Sequence, residues 1–201
     1  MAGPDTGPVL VPASPGAVIV GARFRPGAGG PALAQPLDEL RDRRVEIGEL
    51  LPALARRLDP ELSRAAALRE VALVAGELSE ARPPDALVGA AARRLAGPHA
   101  RSATVAEELG VSERHLRRRF LASVGYGPKT LQRVLRFRRF LRRLDEADGD
   151  AELAELAADC GFADQAHLTR ECGRLAGLSP ATIVRERARA PARRSPGVVG
   201  R

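Results

Sequence analysis

The 201-residue sequence is poor in the residues from which metal sites and disulfide scaffolds are built. It contains two cysteines and three histidines, at positions 99, 115 and 167. Two cysteines are too few for a disulfide framework, so we predict that Cys160 and Cys172 are buried, reduced thiols. A zinc site that combined both cysteines with His167 would still lack a fourth ligand. The sequence therefore predicts neither a metal nor another cofactor.

Motifs of catalysis and of membrane insertion are also missing. The histidines are not spaced as a base beside a nucleophile, and the sequence has no Gly-x-Ser-x-Gly motif, phosphate loop or dinucleotide fingerprint. No apolar run is long enough to span a bilayer. The first residues, Met-Ala-Gly-Pro-Asp, lack the charged and apolar regions of a signal peptide. We therefore predict a cytoplasmic protein that is neither an enzyme nor bound to a membrane.

The positive charge is confined to the second half of the chain. Residues 1–100 contain 12 basic and 12 acidic side chains, whereas residues 101–201 contain 20 basic and 13 acidic ones. The whole formal charge of +7 therefore comes from the second half. A basic segment implies a polyanionic partner, and nucleic acid is the leading candidate.

Residues 104–119 have the pattern of a helix-turn-helix. Thr104 and Glu107 have the spacing of a capping box, which predicts the start of a short helix at Thr104. Gly110 follows where the chain must turn, since glycine adopts positive φ without steric cost. Ser112 is then predicted to cap a second helix.

The second helix of this pattern has two different faces. Leu116 and Phe120 are four residues apart and are predicted to pack against the first helix. Arg114, Arg117 and Arg118 are left on the outer surface. A solvated face is the ordinary interpretation of an arginine run, but the helix after the turn is the one that enters the DNA major groove in this motif.

The pattern recurs farther along the chain. A shift of 52 residues aligns positions of the same type or role: Leu116 with Leu168, Arg118 with Arg170, Gly125 with Gly177, Ser112 with Asp164, and Gly127-Pro128 with Ser179-Pro180. Each copy is predicted to contain a short helix, a glycine turn, a capped helix, another glycine and a proline that opens the next helix.

Residues 86–187 resemble the AraC/XylS family of bacterial transcription regulators. The most specific part is residues 153–170 followed by residues 177–180, which are similar to the second helix-turn-helix signature of that family. The sequence departs from the family pattern at Cys172 and Leu168, where aromatic residues are common, and at Phe140, where a small residue is common. These exchanges between apolar residues affect packing more than chemistry.

The resemblance implies a mainly α fold, with two helix-turn-helix subdomains joined by a long linker helix and preceded by a small α/β remnant of a cupin-like sensor region. We predict four parts: a reduced sensor or dimerisation-like region (1–80), a linker (81–84), the double helix-turn-helix DNA-binding domain (85–187), and a basic, disordered tail (188–201).

Several elements are predicted within these parts. They are a strand at residues 17–25, at most a short strand at residues 9–11, helices over residues 36–43, 46–58 and 59–80, a helix capped by Asp85, and the linker helix 128–144 followed by a polar break at 148–150. The apolar stripe of helix 59–80 is predicted to pack within the chain or against a second copy. The linker helix would space the two DNA-contacting helices by about 34 Å, one turn of DNA. Its arginines are predicted to face solvent or to bond phosphates and acids.

The chemistry of the side chains, together with the resemblance, assigns residues to DNA. Arginine bonds guanine bidentately and glutamine suits adenine. Base contacts are predicted for Arg114, Arg117, Arg118, Gln165, His167, Thr169 and Arg170. Two alternative roles, contact with a DNA phosphate or simple helix capping, are predicted for Ser112, Lys129, Thr130, Ser179 and Thr182, and capping is at least as well supported.

The predicted function is sequence-specific DNA binding that regulates transcription, with helices 113–121 and 165–175 in two adjacent major-groove segments. The alternative is an accessory protein that binds DNA non-specifically, or that acts through protein contacts as a truncated partner of a regulator. Promoter or operator DNA is the predicted partner. RNA polymerase and a second copy of the chain are open candidates, and no small-molecule effector is identified. A methyl-accepting cysteine, as in some DNA repair proteins with this module, is disfavoured because both cysteines lie at predicted core positions.

Overall fold

The computed structural model describes residues 1–12, 14, 16–57, 62–146 and 152–189. Within these ranges the chain forms eleven α-helices, one 3₁₀ turn and one isolated β-bridge between Ala2 and Arg44. The predicted mainly α class is therefore confirmed. The chain divides into two compact units, Met1–Leu135 and Arg136–Arg201.

The helices follow in chain order. The first five elements are α1 (Gly29–Leu33), the 3₁₀ turn Leu37–Leu40, α2 (Ile47–Leu50), α3 (Pro52–Ala55) and α4 (Arg64–Ala81). A connector of residues 82–85 leads to α5 (Ala86–Leu95), α6 (Ser102–Glu108), α7 (Glu113–Val124) and α8 (Pro128–Glu146). The last three are α9 (Leu153–Asp159), α10 (Gln165–Ala176) and α11 (Pro180–Arg189).

Short polar side chains begin three of these helices, as the sequence predicts. Asp85, Ser112 and Asp164 each accept the backbone N–H of the residue three positions on, at 3.1, 3.2 and 2.5 Å. Each bond satisfies one of the amides that the first helical turn leaves without a partner. The turns that precede α7 and α10 contain Gly110 and Gly161 at φ values of 66° and 82°, which side chains with a Cβ rarely adopt.

The first unit has a core beneath α5, α6 and α7. Val88, Leu116 and Phe120 are fully buried there, as the sequence predicts for the latter two. The remaining members are Ala91, Ala92, Leu95, Val105, Ala106, Val124 and Leu131. Each fully buried large apolar side chain contributes roughly 1.5–3 kcal/mol to folding.

The second unit has its own core. Phe140, Leu168 and both cysteines are fully buried in it, with Leu156, Ala157, Phe162 and Ile183 around them. Burial raises the pKa of the Cys160 thiol, and it raises the pKa of Cys172 to about 11. The thiols are free and protonated at neutral pH, which confirms the prediction of buried, reduced cysteines.

Asp85 joins three parts of the first unit, and its side chain is only 5% exposed. One carboxylate oxygen caps α5 at the Val88 N–H. The other accepts from Arg119 Nε at 2.7 Å and from Ser123 Oγ at 3.3 Å, both on α7. The backbone N–H of Asp85 donates to the Gly27 carbonyl at 2.8 Å. A single residue thus connects α5, α7 and the N-terminal segment.

The N-terminal segment approaches α5 and α7 so closely that glycine is required at two positions. A Cβ on Gly27, which has φ +92°, would lie 2.9 Å from the Asp85 carbonyl oxygen. A Cβ on Gly30 would lie 2.5 Å from the Ala122 carbonyl oxygen. Such distances are shorter than van der Waals contact. The absence of a side chain therefore allows Gly27 to approach the start of α5 and allows α1 to pack on α7 at Gly30.

The predicted strands are wrong. Neither residues 9–11 nor residues 17–25 form a strand, and the described part of the first 80 residues is irregular or helical rather than α/β. Alternation of apolar residues favours a strand only where a neighbouring strand supplies hydrogen bonds and a face to cover. Val18 and Ile19 instead remain 60% and 77% exposed. The predicted cupin-like remnant is therefore not supported.

Several helix boundaries also differ from the prediction. The predicted helix 36–43 is the 3₁₀ turn, and the predicted helix 46–58 splits into α2 and α3 because Pro52 disfavours helical geometry at Leu51 (φ −139°, ψ 68°). Helix α4 begins at Arg64, where Ser63 Oγ accepts the Ala66 N–H at 3.4 Å. The predicted start at residues 59 and 60 lies outside the described residues.

The predicted capping box at Thr104 is wrong as well. Helix α6 begins two residues earlier, at Ser102, and its N-cap residue Arg101 makes no side-chain cap. Ser102, Val105 and Ala106 are all buried, so packing rather than the Thr104 hydroxyl sets the first turn. Helix α1 (Gly29–Leu33) was not among the helices predicted from the sequence.

The end of the chain can be compared only in part. Residues 188 and 189, predicted to be in the tail, belong to α11. The rest of the tail and the predicted polar break at residues 148–150 lie outside the described residues. None of the described helices is long and apolar enough to cross a membrane.

The bonds of Asp85 predict a local stability effect. Asp85→Asn keeps a capping side chain but removes the charge that binds Arg119, so we expect the opening free energy of the first unit to fall by about 1 to 3 kcal/mol. Asp164→Asn is the matched control, because asparagine caps as well as aspartate and we expect a change within about 0.5 kcal/mol. Native-state hydrogen exchange of the amides in α5, α7 and α10 measures both.

The same effect depends on pH. Burial raises the pKa of Asp85, but the hydrogen bonds from Arg119, the Val88 N–H and Ser123, together with the charge of Arg119, lower it by more, so the pKa lies below its ordinary value. The ionised carboxylate therefore stabilises the fold above pH about 4, and this contribution disappears as the pH falls through the folded pKa. The difference between the wild type and Asp85→Asn should shrink in acid. A constant difference from pH 7 to pH 2 would contradict the assignment.

Candidate nucleic-acid interface

Helix α7 presents three arginines to solvent. Arg114, Arg117 and Arg118 are exposed, while Leu116 and Phe120 on the same helix are fully buried. We call these three arginines the α7 surface. The helical period produces this division, since residues three and four apart share a face. In the described part of the chain none of the three forms an ion pair with an acidic side chain.

The next arginine along α7 has a different role. Arg119 donates from Nε to Asp85, and this bond raises the pKa of Arg119. The side chain therefore binds α7 to α5. Sequence reasoning missed this pair because its members are 34 residues apart and only the folded chain brings them together. On the α7 surface itself, Arg118 lies 3.3 Å from His115 Nδ1, which limits the positions of its guanidinium group.

Helix α10 presents a more mixed set. Gln165, Thr169 and Arg170 are exposed, while Leu168 and Cys172 are fully buried. We call these three exposed residues the α10 surface. Thr169 Oγ1 donates to the Gln165 carbonyl oxygen at 2.9 Å, so this hydroxyl is partly engaged by its own helix.

His167 is held by the turn that precedes α10. Its ring packs edge-on against Phe162, with ring centroids 5.5 Å apart and an interplanar angle of 87°. The Ala163 N–H donates to Nδ1 at 3.2 Å. Nδ1 is therefore an acceptor, and in the neutral ring the proton lies on Nε2. Of the predicted base contacts, His167 is thus bonded to the turn before its helix, while Thr169 is bonded within α10 itself.

The predicted phosphate-binding residues fall into two groups. Ser112 and Ser179 hydroxyls accept first-turn amides of α7 and α11, at 3.2 Å in both cases. Ser179 Oγ also lies 2.9 Å from Thr182 Oγ1. These bonds are the helix capping that the sequence offered as the second interpretation. Lys129 is exposed and Thr130 is half-buried in the first turn of α8.

Several arginines of α8 are bonded within the second unit. Arg139 donates to the Cys160 carbonyl at 3.0 Å and thereby satisfies the end of α9. Arg142 lies 3.6 Å from Glu146, and Arg143 lies 3.9 Å from Asp159. These contacts agree with the prediction that arginines of this helix bond acids. They do not contribute to either of the two surfaces.

Helix α10 also carries a buried charge. Glu171 is 5% exposed and its carboxylate lies 2.9 Å from Arg174. Burial lowers the pKa of Arg136 on α8, repulsion from Arg139 lowers it further, and Glu171 acts in the opposite direction.

The described residues contain no group of three or more His, Cys, Asp or Glu side chains that could hold a metal ion.

The comparison with protein families agrees with this geometry. Residues 105–186 match the family model described as a helix-turn-helix domain, and the match runs from α6 to α11. No curated protein and no solved structure matches the chain. The match supports a DNA-binding domain of the AraC type over these residues, and with it a role in transcription regulation.

Two substitutions at Ser112 separate capping from phosphate contact. Ser112→Ala removes the cap of α7, and we expect it to cost about 1 kcal/mol of stability. Ser112→Asp keeps the cap but places a negative charge at the helix terminus, so we expect wild-type stability. If a phosphate lies there, Ser112→Asp weakens DNA binding at least tenfold while Ser112→Ala changes it little. If the aspartate variant binds DNA as tightly as the wild type, Ser112 does not contact a phosphate and acts only as a helix cap. Thermal unfolding and fluorescence anisotropy with duplex DNA measure the two effects.

Proposed function

We propose that the chain is a sequence-specific transcription regulator that inserts α7 and α10 into two adjacent major-groove segments of duplex DNA. The inserted parts are residues 113–121 and 165–175. The DNA-binding domain in this proposal comprises residues 85–187, after the linker 81–84. The observation that carries the proposal is the α7 surface, three exposed arginines on the helix that follows the glycine turn of a domain matched to a DNA-binding family.

The two surfaces suit different bases. Arg114, Arg117 and Arg118 offer guanidinium groups that can bond O6 and N7 of guanine. On the α10 surface, Gln165 suits adenine and Arg170 suits guanine. Thr169 can contact either type of base or a thymine methyl group. His167 contributes through Nε2, since Nδ1 is bonded to the turn.

Contacts to the DNA backbone would fix the position of both helices. Lys129 and Thr130 lie in the first turn of α8, and Ser112 and Ser179 precede α7 and α11, where free amides favour phosphate oxygens. Thr182 would act through its hydroxyl beside Ser179. Helix α8 would set the separation of the two inserted helices at about 34 Å, the distance between successive major grooves on one face of DNA.

The alternative function is an accessory protein that binds DNA without sequence preference, or that acts through protein contacts. The excess of basic residues in the second half of the sequence supports non-specific attraction as much as specific contact. Both functions predict binding that weakens with salt. Only a specific regulator retains a preference of about 4 kcal/mol or more for particular sites at physiological salt.

Selection of bound fragments from sheared genomic DNA, at physiological salt, distinguishes the two functions. The proposal predicts a recurring asymmetric motif with two conserved blocks about one helical turn apart. A single block would mean that one helix contacts bases while the other only holds the backbone. No enrichment at all would favour the accessory function and would overturn the proposal.

Single substitutions then test the assigned residues on the selected site. We expect Arg118→Ala and Arg170→Ala each to weaken binding by about 10- to 100-fold, equivalent to about 1–3 kcal/mol, and to relax preference at one base pair. Arg93→Ala is the matched control, because Arg93 is an exposed arginine of α5 and lies on neither surface. Unchanged affinity and unchanged preference in Arg118→Ala would remove that residue from the base contacts.

Lys129→Ala should behave differently from these variants. A phosphate contact carries no sequence information, so its loss should weaken binding to all sequences by a similar factor. The slope of log affinity against log salt concentration should also fall by about 0.9. Titrations of specific and random duplexes between 50 mM and 200 mM salt measure this effect.

A further inference from the structure

The first unit contains an open groove that the DNA-binding function does not use. Its volume is about 580 Å³. It lies where α1, the connector 82–85 and α7 meet. This volume is within the range of about 300–1,000 Å³ that is typical of small-molecule sites.

The walls of the groove are largely apolar. Pro31 and Pro36 come from the N-terminal segment, Pro83 and Pro84 from the connector, and Ala122 from α7. Proline rings and alanine methyl groups hold their positions with little side-chain freedom, so a ligand would order few rotamers when it binds. The apolar walls favour an organic ligand over a fully hydrated ion.

Two arginines, Arg82 and Arg119, are among the residues that line the groove. Arg119 is fixed in orientation because its Nε donates to Asp85, which leaves the N–H donors of its two terminal nitrogens for a ligand. Arg82 also lines the groove and is exposed, and it forms no ion pair with any described residue. The groove therefore offers one fixed and one adaptable anion-binding group.

The acidic residue of the groove does not cancel this charge. Asp85 is 5% exposed and already accepts hydrogen bonds from Val88, Arg119 and Ser123. Its negative charge is matched by Arg119, so the positive charge of Arg82 is the excess. Gln35 adds a neutral amide to the lining.

We propose that this groove binds a small monocarboxylate with an apolar body. The carboxylate would lie between Arg82 and the terminal nitrogens of Arg119, since guanidinium and carboxylate form paired, charge-assisted hydrogen bonds. The apolar body would lie on the prolines and Ala122. Because the ligand would touch α1, the connector and α7 together, its binding would stabilise the first unit.

Matched probes test the class of ligand without any DNA in the sample, so the result is independent of the proposed function. The full-length ¹⁵N-labelled protein is titrated with hexanoate and phenylacetate, and separately with hexanamide, phenylacetamide and inorganic phosphate. For probes of this size we expect a Kd of about 1 mM, which lies within the range that ligand efficiencies allow. We expect the carboxylates to shift the amide resonances of Gly30, Ala34 and Ala122, and the neutral amides to bind at least tenfold more weakly.

Two variants test the position of the ligand. Arg82→Gln should weaken carboxylate binding at least tenfold, whereas Arg93→Gln, which removes an exposed arginine that does not line the groove, should have no effect. Ala122→Leu should block the groove while it preserves helical propensity. Circular dichroism confirms that each variant is folded.

Three results would overturn the proposal. They are the absence of shifts with 10 mM carboxylate, equal binding of the carboxylates and their amides, and wild-type carboxylate affinity in Arg82→Gln. Binding of inorganic phosphate as tight as that of hexanoate would also overturn it, because the groove would then be a general anion patch that the apolar walls do not help to form.

Discussion

Asp85 connects three parts of the first unit from one buried position, through its carboxylate and its backbone. The carboxylate caps α5, it binds Arg119 and Ser123 of α7, and its residue is tied through the backbone to Gly27. A buried charge is costly unless it is paired and fully hydrogen-bonded. The relative positions of α5, α7 and the N-terminal segment therefore depend on each other, and a shift in any of them leaves a charge without its partners.

The features that depend on local chemistry were predicted from the sequence. Asp85, Ser112 and Asp164 cap their helices because a short polar side chain needs only the next three residues to act. Gly110 and Gly161 fix their turns for similar reasons, and the spacing of apolar residues identified the core face of α7. The sequence did not predict contacts between residues that are far apart in the chain. Residues 17–25 alternate as in a strand but form none, because no neighbouring strand pairs with them. Helix α6 begins at Ser102 because that residue is buried, not because Thr104 caps it.

The candidate interface likewise has features that the sequence predicted and features that it did not. Exposure of the arginines on α7 follows from helical period and was predictable from the sequence, as was the exposure of Gln165 and Arg170. The engagement of His167 by Phe162 and Ala163 was not, because the ring turns back onto the loop that precedes its own helix. The two copies of the motif thus share their architecture but differ in chemistry. One presents three arginines, and the other presents an amide, a hydroxyl and a single arginine.

The location of the thiols has a practical consequence. Both cysteines of the chain lie in the core of the second unit, fully buried, and the first unit contains none. A thiol with a pKa of about 11 is almost entirely protonated at neutral pH, so an alkylating reagent must wait for the unit to open before it reacts. The rate at which the reagent modifies the native chain therefore measures the opening of the second unit alone. This rate can be measured without a label, in the presence or absence of DNA. The first unit does not contribute to it, because that unit contains no cysteine.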